Sequence, residues 1–375
     1  MEKLISICIL SLLISSFNCT FQTNIFSQIN TDKNGKNLII SPLSIYQVLS
    51  LLANGAKGDT QLEMLSTLGS TTISELNDIN YKILSKISTF STIDIANAVM
   101  TRFKPLKNFC AIADKYSASI ETLQNVEQVN EWCNEKTHGK IQKIIDQLSP
   151  ETIMILLNAV YFKGEWIRPF DQYFNEKILF YNFGKEKKSV DSMIQVEHFR
   201  YYKNQDIQAV ELPFRKDFMS AIIILPSEQL DINNFINNKI SQKSYLDDII
   251  NKLDYAKVQL QMPKFELNFE ETLNDVIKKL GMKKIFNSYE ADLSGLYDDQ
   301  SLFVSQVIHK TYLKVNEHGT EAAAVTMISI KNAMVMREPE IIHIMTVNRP
   351  FLFLLKNCQL PAGYDMVFMA KIEEL

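Results

Sequence analysis

Leu313-Lys314-Val315-Asn316-Glu317-His318-Gly319-Thr320-Glu321-Ala322-Ala323-Ala324-Val325-Thr326 is the stretch on which the fold turns. Extended from Thr320 onward, it sets Thr320, Ala322, Ala324, Thr326, Ile328 and Ile330 on one side. Glu321, Ala323, Val325, Met327, Ser329 and Lys331 fall on the other. One face is then uncharged and the other holds every charge, as suits a strand laid over a core. Yet Gly319 and three successive alanines are weak strand formers, equally at home in a short helix or a loop. From its own residues the segment stays open between these states, and the rest of the chain has to decide.

Outward from it, helical and strand patterns alternate irregularly, with no repeat and no Pro/Gly/Ser-rich linker. Ser41-Pro42 is a helix start, a capping side chain followed by Pro in the first turn. Ile45, Val48, Leu49, Leu52 and Ala56 continue it as one apolar face, with Gly58 as the expected stop. Val129, Trp132 and Cys133 repeat the spacing before a His138-Gly139 stop, and Leu273, Val276, Ile277 and Leu280 do so before Gly281. Met219–Leu225 forms a buried strand ended by Pro226, and Val258, Leu260 and Met262 alternate as on a half-buried one. The runs 350–355 and 364–369 flank a Pro361–Gly363 turn as a C-terminal hairpin. Helices early and hairpins late favour an α+β fold over a doubly wound sheet.

The 375 residues are 46% apolar and 22% charged, as in an ordinary globular protein, and a net charge of −4 argues against nucleic acid as a partner. Five Cys are too few and too scattered for a disulfide framework. Met1-Glu2-Lys3, an apolar run from Leu4 to Ile14 and small residues after it make 1–19 a secretory signal, with a cytoplasmic chain as the alternative. That run is too short for a membrane span. The five His match no zinc spacing, and CxxC, Walker, GxSxG and GxGxxG motifs are absent, which weighs against an enzyme. Cys133, one residue from Trp132 on a helix face, suits a small buried side chain better than a nucleophile.

Glu317-His318-Gly319-Thr320-Glu321-Ala322-Ala323-Ala324 resembles the reactive-loop hinge of the serpins. The likeness extends over roughly residues 20–375 in independent blocks: Asn37–Ile45, Thr137-His138-Gly139-Lys140-Ile141, Asn158–Trp166 with Pro169-Phe170, Met262–Phe265, Leu280–Met282, Ala291–Gly295, Ile308–Lys310 and Asn348–Phe351. It implies one α+β domain with three β-sheets, about nine helices and an exposed reactive-centre loop near 317–340. It also implies a suicide substrate: the protease cleaves the loop, is held as an acyl-enzyme, and is distorted as the loop inserts into the central sheet.

The same resemblance assigns the parts. The hinge comprises Glu317, Gly319, Thr320, Glu321, Ala322, Ala323 and Ala324, with an uncharged Thr320 where a buried charge would stop insertion. Ala333–Met334 is the expected reactive bond and Met336–Arg337 the alternative. Ala or Met suits elastase-, cathepsin G- or chymotrypsin-like serine proteases, whereas Arg suits trypsin-like ones. Ser41, Ser44, Asn158 and His309 resemble the shutter beneath the sheet. Trp166, Lys264 and Glu317 belong to the breach at its top. With no Lys/Arg cluster, no heparin-type cofactor is expected, and the chain should act as a monomer. A non-inhibitory serpin serving as carrier, chaperone or storage protein is the competing expectation.

Overall fold

A computed structural model describes residues 20–298, 302–320 and 341–375. The signal assigned to 1–19 and the loop positions Glu321, Ala322, Ala323, Ala324, Ala333, Met334, Met336 and Arg337 lie outside the described residues.

A five-stranded sheet draws its strands from distant parts of the chain: β2 (Ile93–Thr101), β3 (Ser119–Thr122), β4 (Met154–Phe162), β11 (Phe265–Thr272) and β12 (Gln306–Val315). Their order is β11-β12-β4-β2-β3. A nine-stranded sheet contains β1 (Leu38–Ile40), β6 (Glu176–Asn182), β7 (Glu186–Lys203), β8 (Ile207–Pro213), β9 (Met219–Pro226), β10 (Asp254–Pro263), β14 (Ile342–Thr346), β15 (Phe351–Asn357) and β16 (Met366–Ile372). The third sheet is the two-residue pair of β5 (Gly164–Glu165) with β13 (Gly319–Thr320). Nine α-helices occur among the described residues: α1 (Thr20–Asp32), α2 (Pro42–Ala53), α3 (Gly58–Leu68), α4 (Ile73–Ile87), α5 (Lys107–Lys115), α6 (Val126–Lys136), α7 (Ile232–Phe235), α8 (Lys243–Asn251) and α9 (Asn274–Leu280). None of the described helices is long and apolar enough to cross a membrane.

Side-chain alternation explains why β4 sits at the centre of its sheet. All nine of its residues are buried. Met154, Leu156, Val160 and Phe162 join the main core, whereas Ile155, Leu157 and Ala159 join a second cluster with Trp132 and Cys133 of α6. A strand covered on both faces is apolar almost throughout, and Asn158 is the polar exception in β4. The C-terminal hairpin forms as its sequence indicates, β15 pairing antiparallel with β16, and β9 flanks β15 on the other side.

Two expectations for α2 are corrected. Ser41 caps the helix, its side chain accepting from the Ser44 backbone N–H, but the helix ends at Ala53 rather than running to Gly58. Gly55 lies in the turn that follows, and Gly58 opens α3. The apolar face read from the sequence is also only part of what is buried. Every residue of α2 is buried, including Ser44, Gln47 and Ser50, because the helix packs against β2 and β4 of one sheet and β16 of the other. At Gly55 an added Cβ would lie 2.8 Å from the Leu296 Cβ and 3.1 Å from the Phe109 ring. Gly55→Ala should therefore cost about 1–3 kcal/mol by overpacking. It should lower the midpoint of the first guanidinium unfolding transition; an unchanged midpoint would mean that the turn relaxes freely.

Candidate functional site

The site is built on one seam. β4 and β12 run parallel and are in register over seven residue pairs, from Gln306 opposite Ile155 to Tyr312 opposite Tyr161. Beyond Tyr312 the two strands part, and Leu313, Lys314 and Val315 keep only the β11 partner, which β12 has from Ile308 onward. The chain then reverses: the Asn316 N–H donates to the Gly319 carbonyl at 2.8 Å, and the His318 N–H donates to Asn316 Oδ1 at 2.9 Å. Gly319 and Thr320 return antiparallel to β5, opposite Glu165 and Gly164. The last two hinge residues described, Gly319 and Thr320, are thus already seated as a short strand where the seam opens.

Two glycines make that seating possible. Gly319 has φ +131°, and a Cβ on it would meet the Gly164 carbonyl oxygen at 2.1 Å. At Gly164, a Cβ would come within 2.7 Å of both the Phe162 and Phe214 rings. Thr320 is fully buried, and its Oγ1 accepts the Gly164 N–H at 2.6 Å. An uncharged side chain therefore suits this seated position, as it would any later insertion.

Around the turn lie the residues expected at the breach. Trp166 is buried and stacked on Phe214 with ring centroids 4.2 Å apart, and its Nε1–H donates to the Asn316 carbonyl at 3.0 Å. Lys264 Nζ stands 3.1 Å from Glu317 Oε1, to which the Asn175 side-chain amide also donates. Burial alone would raise the Glu317 carboxyl, but the bonds from its own backbone, Asn175 and Lys264 outweigh it and hold the group below the usual carboxylate range.

Beneath the seam, Ser41, Ser44, Asn158 and His309 converge. His309 of β12 and Asn158 of β4 are register partners, and Asn158 is in turn opposite Asn97 of β2. The Ser41 backbone N–H donates to His309 Nε2 at 3.1 Å, which leaves the ring proton on Nδ1. Nδ1 then donates to Asn158 Oδ1 at 2.5 Å, the same oxygen that accepts the Ser44 hydroxyl at 2.7 Å. The Asn158 amide completes the row by donating to Asn97 Oδ1 at 2.6 Å. Burial pulls His309 down to about 3, so the ring is neutral, as its accepting Nε2 requires.

Sequence inspection missed Asn97, Asn175, Phe214 and the packing role of Gly164. Asn97 gives one local signal, an amide inside an otherwise apolar strand, but its partner is set by register across the sheet.

The family model described as serpin (serine protease inhibitor) matches residues 16–372. The chain belongs to the serpin family. It is 33% identical over 361 residues to intracellular coagulation inhibitor 2 of Tachypleus tridentatus, covering 91% of this chain and 86% of that one. It is 32% identical over 361 residues to a leukocyte elastase inhibitor of Xenopus laevis, covering 90% and 94%. The native-state crystal structure of the thermophilic serpin tengpin matches with a TM-score of 0.86 and 29% identity, over 96% of this chain and 94% of that one. The α+β serpin architecture is thereby shown.

Two expectations change with these comparisons. Missing catalytic motifs weigh against an enzyme but are no ground for excluding one. What bears on the question instead is that the relatives are named as inhibitors. For location, one of these relatives is named as intracellular, which sits closer to the cytoplasmic alternative than to secretion.

His309 makes the fold sensitive to acid. Its folded value of about 3 lies below the ordinary 6.5, so between these values the unfolded chain binds more protons. Stability from the neutral ring is full above about pH 6.5 and falls as pH drops towards 3, by up to about 1.4 kcal/mol per pH unit. His309→Gln should flatten this slope relative to the parent chain in urea unfolding at pH 7.0 and 5.5. Parallel slopes would mean that His309 does not titrate on unfolding.

Proposed function

We propose that this serpin is an irreversible suicide-substrate inhibitor of serine endopeptidases, residues 20–375 acting as one unit with the bait near 317–340. The observation that carries the proposal is the seated pair Gly319–Thr320 at the mouth of the β4–β12 seam. A strand continued from it runs antiparallel to β4 and so also to β12. Insertion then replaces one parallel ladder by two antiparallel ones, and antiparallel pairing is the more stable per residue. The chemistry is the protease's own. Its serine oxygen bonds to the carbonyl carbon of the bait's scissile peptide, the C–N bond breaks, and the new amine leaves with a proton. The remaining ester is the species that insertion must carry away before water hydrolyses it.

For Thr320, no bulk or charge opposes this path. The Asn97–Asn158–His309 row crosses the seam with short polar groups, which can exchange partners when the strands part. Ala333–Met334 remains the favoured bond, with elastase-, cathepsin G- or chymotrypsin-like targets. Met336–Arg337 would bring in trypsin-like ones. Relatives named as elastase and coagulation inhibitors support a protease as partner. The relative named as intracellular supports a cytoplasmic chain, and the apolar run Leu4–Ile14 is what keeps secretion in competition.

Incubation with pancreatic elastase, chymotrypsin or trypsin should give an SDS-stable complex with at least one of them and release a C-terminal fragment whose mass identifies the bond. Thr320→Arg should be cleaved at the same bond without forming complex, since a buried unpaired charge costs several kcal/mol. Cleavage of the parent chain with neither a complex nor a rise in thermal stability would favour the carrier or storage alternative. N-terminal sequencing of the natural protein decides location: a start near residue 20 means secretion, a start at Met1 or Glu2 a chain kept inside the cell.

A further inference from the structure

One face of the β4–β12 seam is covered by α6 and by the segment that follows it. Cys133 of α6 and Ile141, Ile144 and Ile145 beyond it pack in one apolar cluster with Leu157 of β4 and Ile308 of β12. Residues 141–148 form no strand, so this cover has no ladder with the sheet beneath it. Two polar ties reach down from it, one on each side of β4. Lys310 of β12 donates to the Lys143 carbonyl, and the His138 ring lies 3.0 Å from Asp94 of β2.

A segment that joins neither helix nor sheet still has backbone N–H and C=O groups to satisfy. Here α6 satisfies them. The Asn130 side-chain amide donates to the Ile145 carbonyl at 3.0 Å, and its oxygen accepts the N–H groups of Ile144 and Ile145 at 2.7 and 3.0 Å. Thr137, fully buried, donates to the Cys133 carbonyl at 2.7 Å and accepts the Ile141 N–H at 3.0 Å. Asn130 thus does for Ile144 and Ile145 what a neighbouring strand would do, but from the helix side. All of these bonds lie within residues 130–145, so moving the cover off the sheet breaks none of them.

We infer that Asn130 is a positioning residue that welds residues 141–145 to α6, so that helix and segment leave the sheet as one preformed body without melting. What separates is apolar contact and the two ties, while backbone hydrogen bonding stays intact on both sides. Such a cover opens at lower cost than one that must unfold to move, because no buried amide is stripped of its partner. The outer face of the seam is uncovered in the same step. The bearing on bait insertion rests on the inhibitor reading, whereas the weld is a property of the uncut chain.

Two probes in the full chain separate lifting from melting. Cys133 lies in the cluster against the sheet, and burial pushes its thiol up to about 12, so a thiol reagent reaches it only when the cover lifts. The Ile144 and Ile145 amides exchange with deuterium only when their bonds to Asn130 break. Expressed as opening constants, iodoacetamide labelling of Cys133, read by peptide mass spectrometry, should exceed exchange at these two amides by about tenfold or more. Asn130→Ala should close most of that gap by speeding the two amides, with Cys133 labelling changed by less than about threefold. Asn130→Asp, which keeps the acceptor for both N–H groups, should retain the slow amides. Equal opening constants in the parent chain overturn the inference, and so do amides that stay slow in Asn130→Ala. No protease takes part, so loss of the weld would leave the inhibitor reading standing, and absence of a protease complex would leave the weld standing.

Discussion

The parallel ladder between β4 and β12 is the constraint on which the rest of the structure depends. It joins two strands largely buried on both faces, so it cannot be left half open without exposing either apolar side chains or backbone amides. The fold meets this by closing the ladder firmly as far as Tyr312 and then splitting it, with the chain's own return strand at the split. Burial beneath the seam is managed with side chains that are short, neutral and fully matched. His309 serves there as a neutral donor and acceptor, and a cation in its place would face the Ser41 N–H.

How much of this was legible in the sequence depended on the range of each interaction. Ser41-Pro42 declares a helix start by local chemistry alone, and the cap forms as expected. Gly319 and Thr320 could be marked by their motif. The motif could not say that Thr320 is already buried, because that depends on Gly164, 156 residues away. Asn97 escaped notice for the same reason: what makes it part of the site is its register opposite Asn158.

The error over α2 has a different origin. Ser44, Gln47 and Ser50 look like the solvent side of an amphipathic helix, and for an isolated helix that would be correct. Here the helix lies between two sheets, and the polar side becomes interior. Ser44 is matched through Asn158, whereas Gln47 is left facing a cleft. Polar residues on a helix therefore do not by themselves identify its outer face when sheets cover both sides.

The seated pair Gly319–Thr320 also has a kinetic meaning. Adding a strand is slow at its first contact, where chain entropy is lost before any ladder repays it, and fast thereafter. In this chain the first contact exists before any bond is cut, and it fixes the register in which further residues would join. For the insertion proposed above, what would be left is propagation, and simple hairpin closure takes only about 1–10 μs. A process begun from a formed nucleus has no search phase, so its timing is governed by the rate at which β4 and β12 unzip ahead of it.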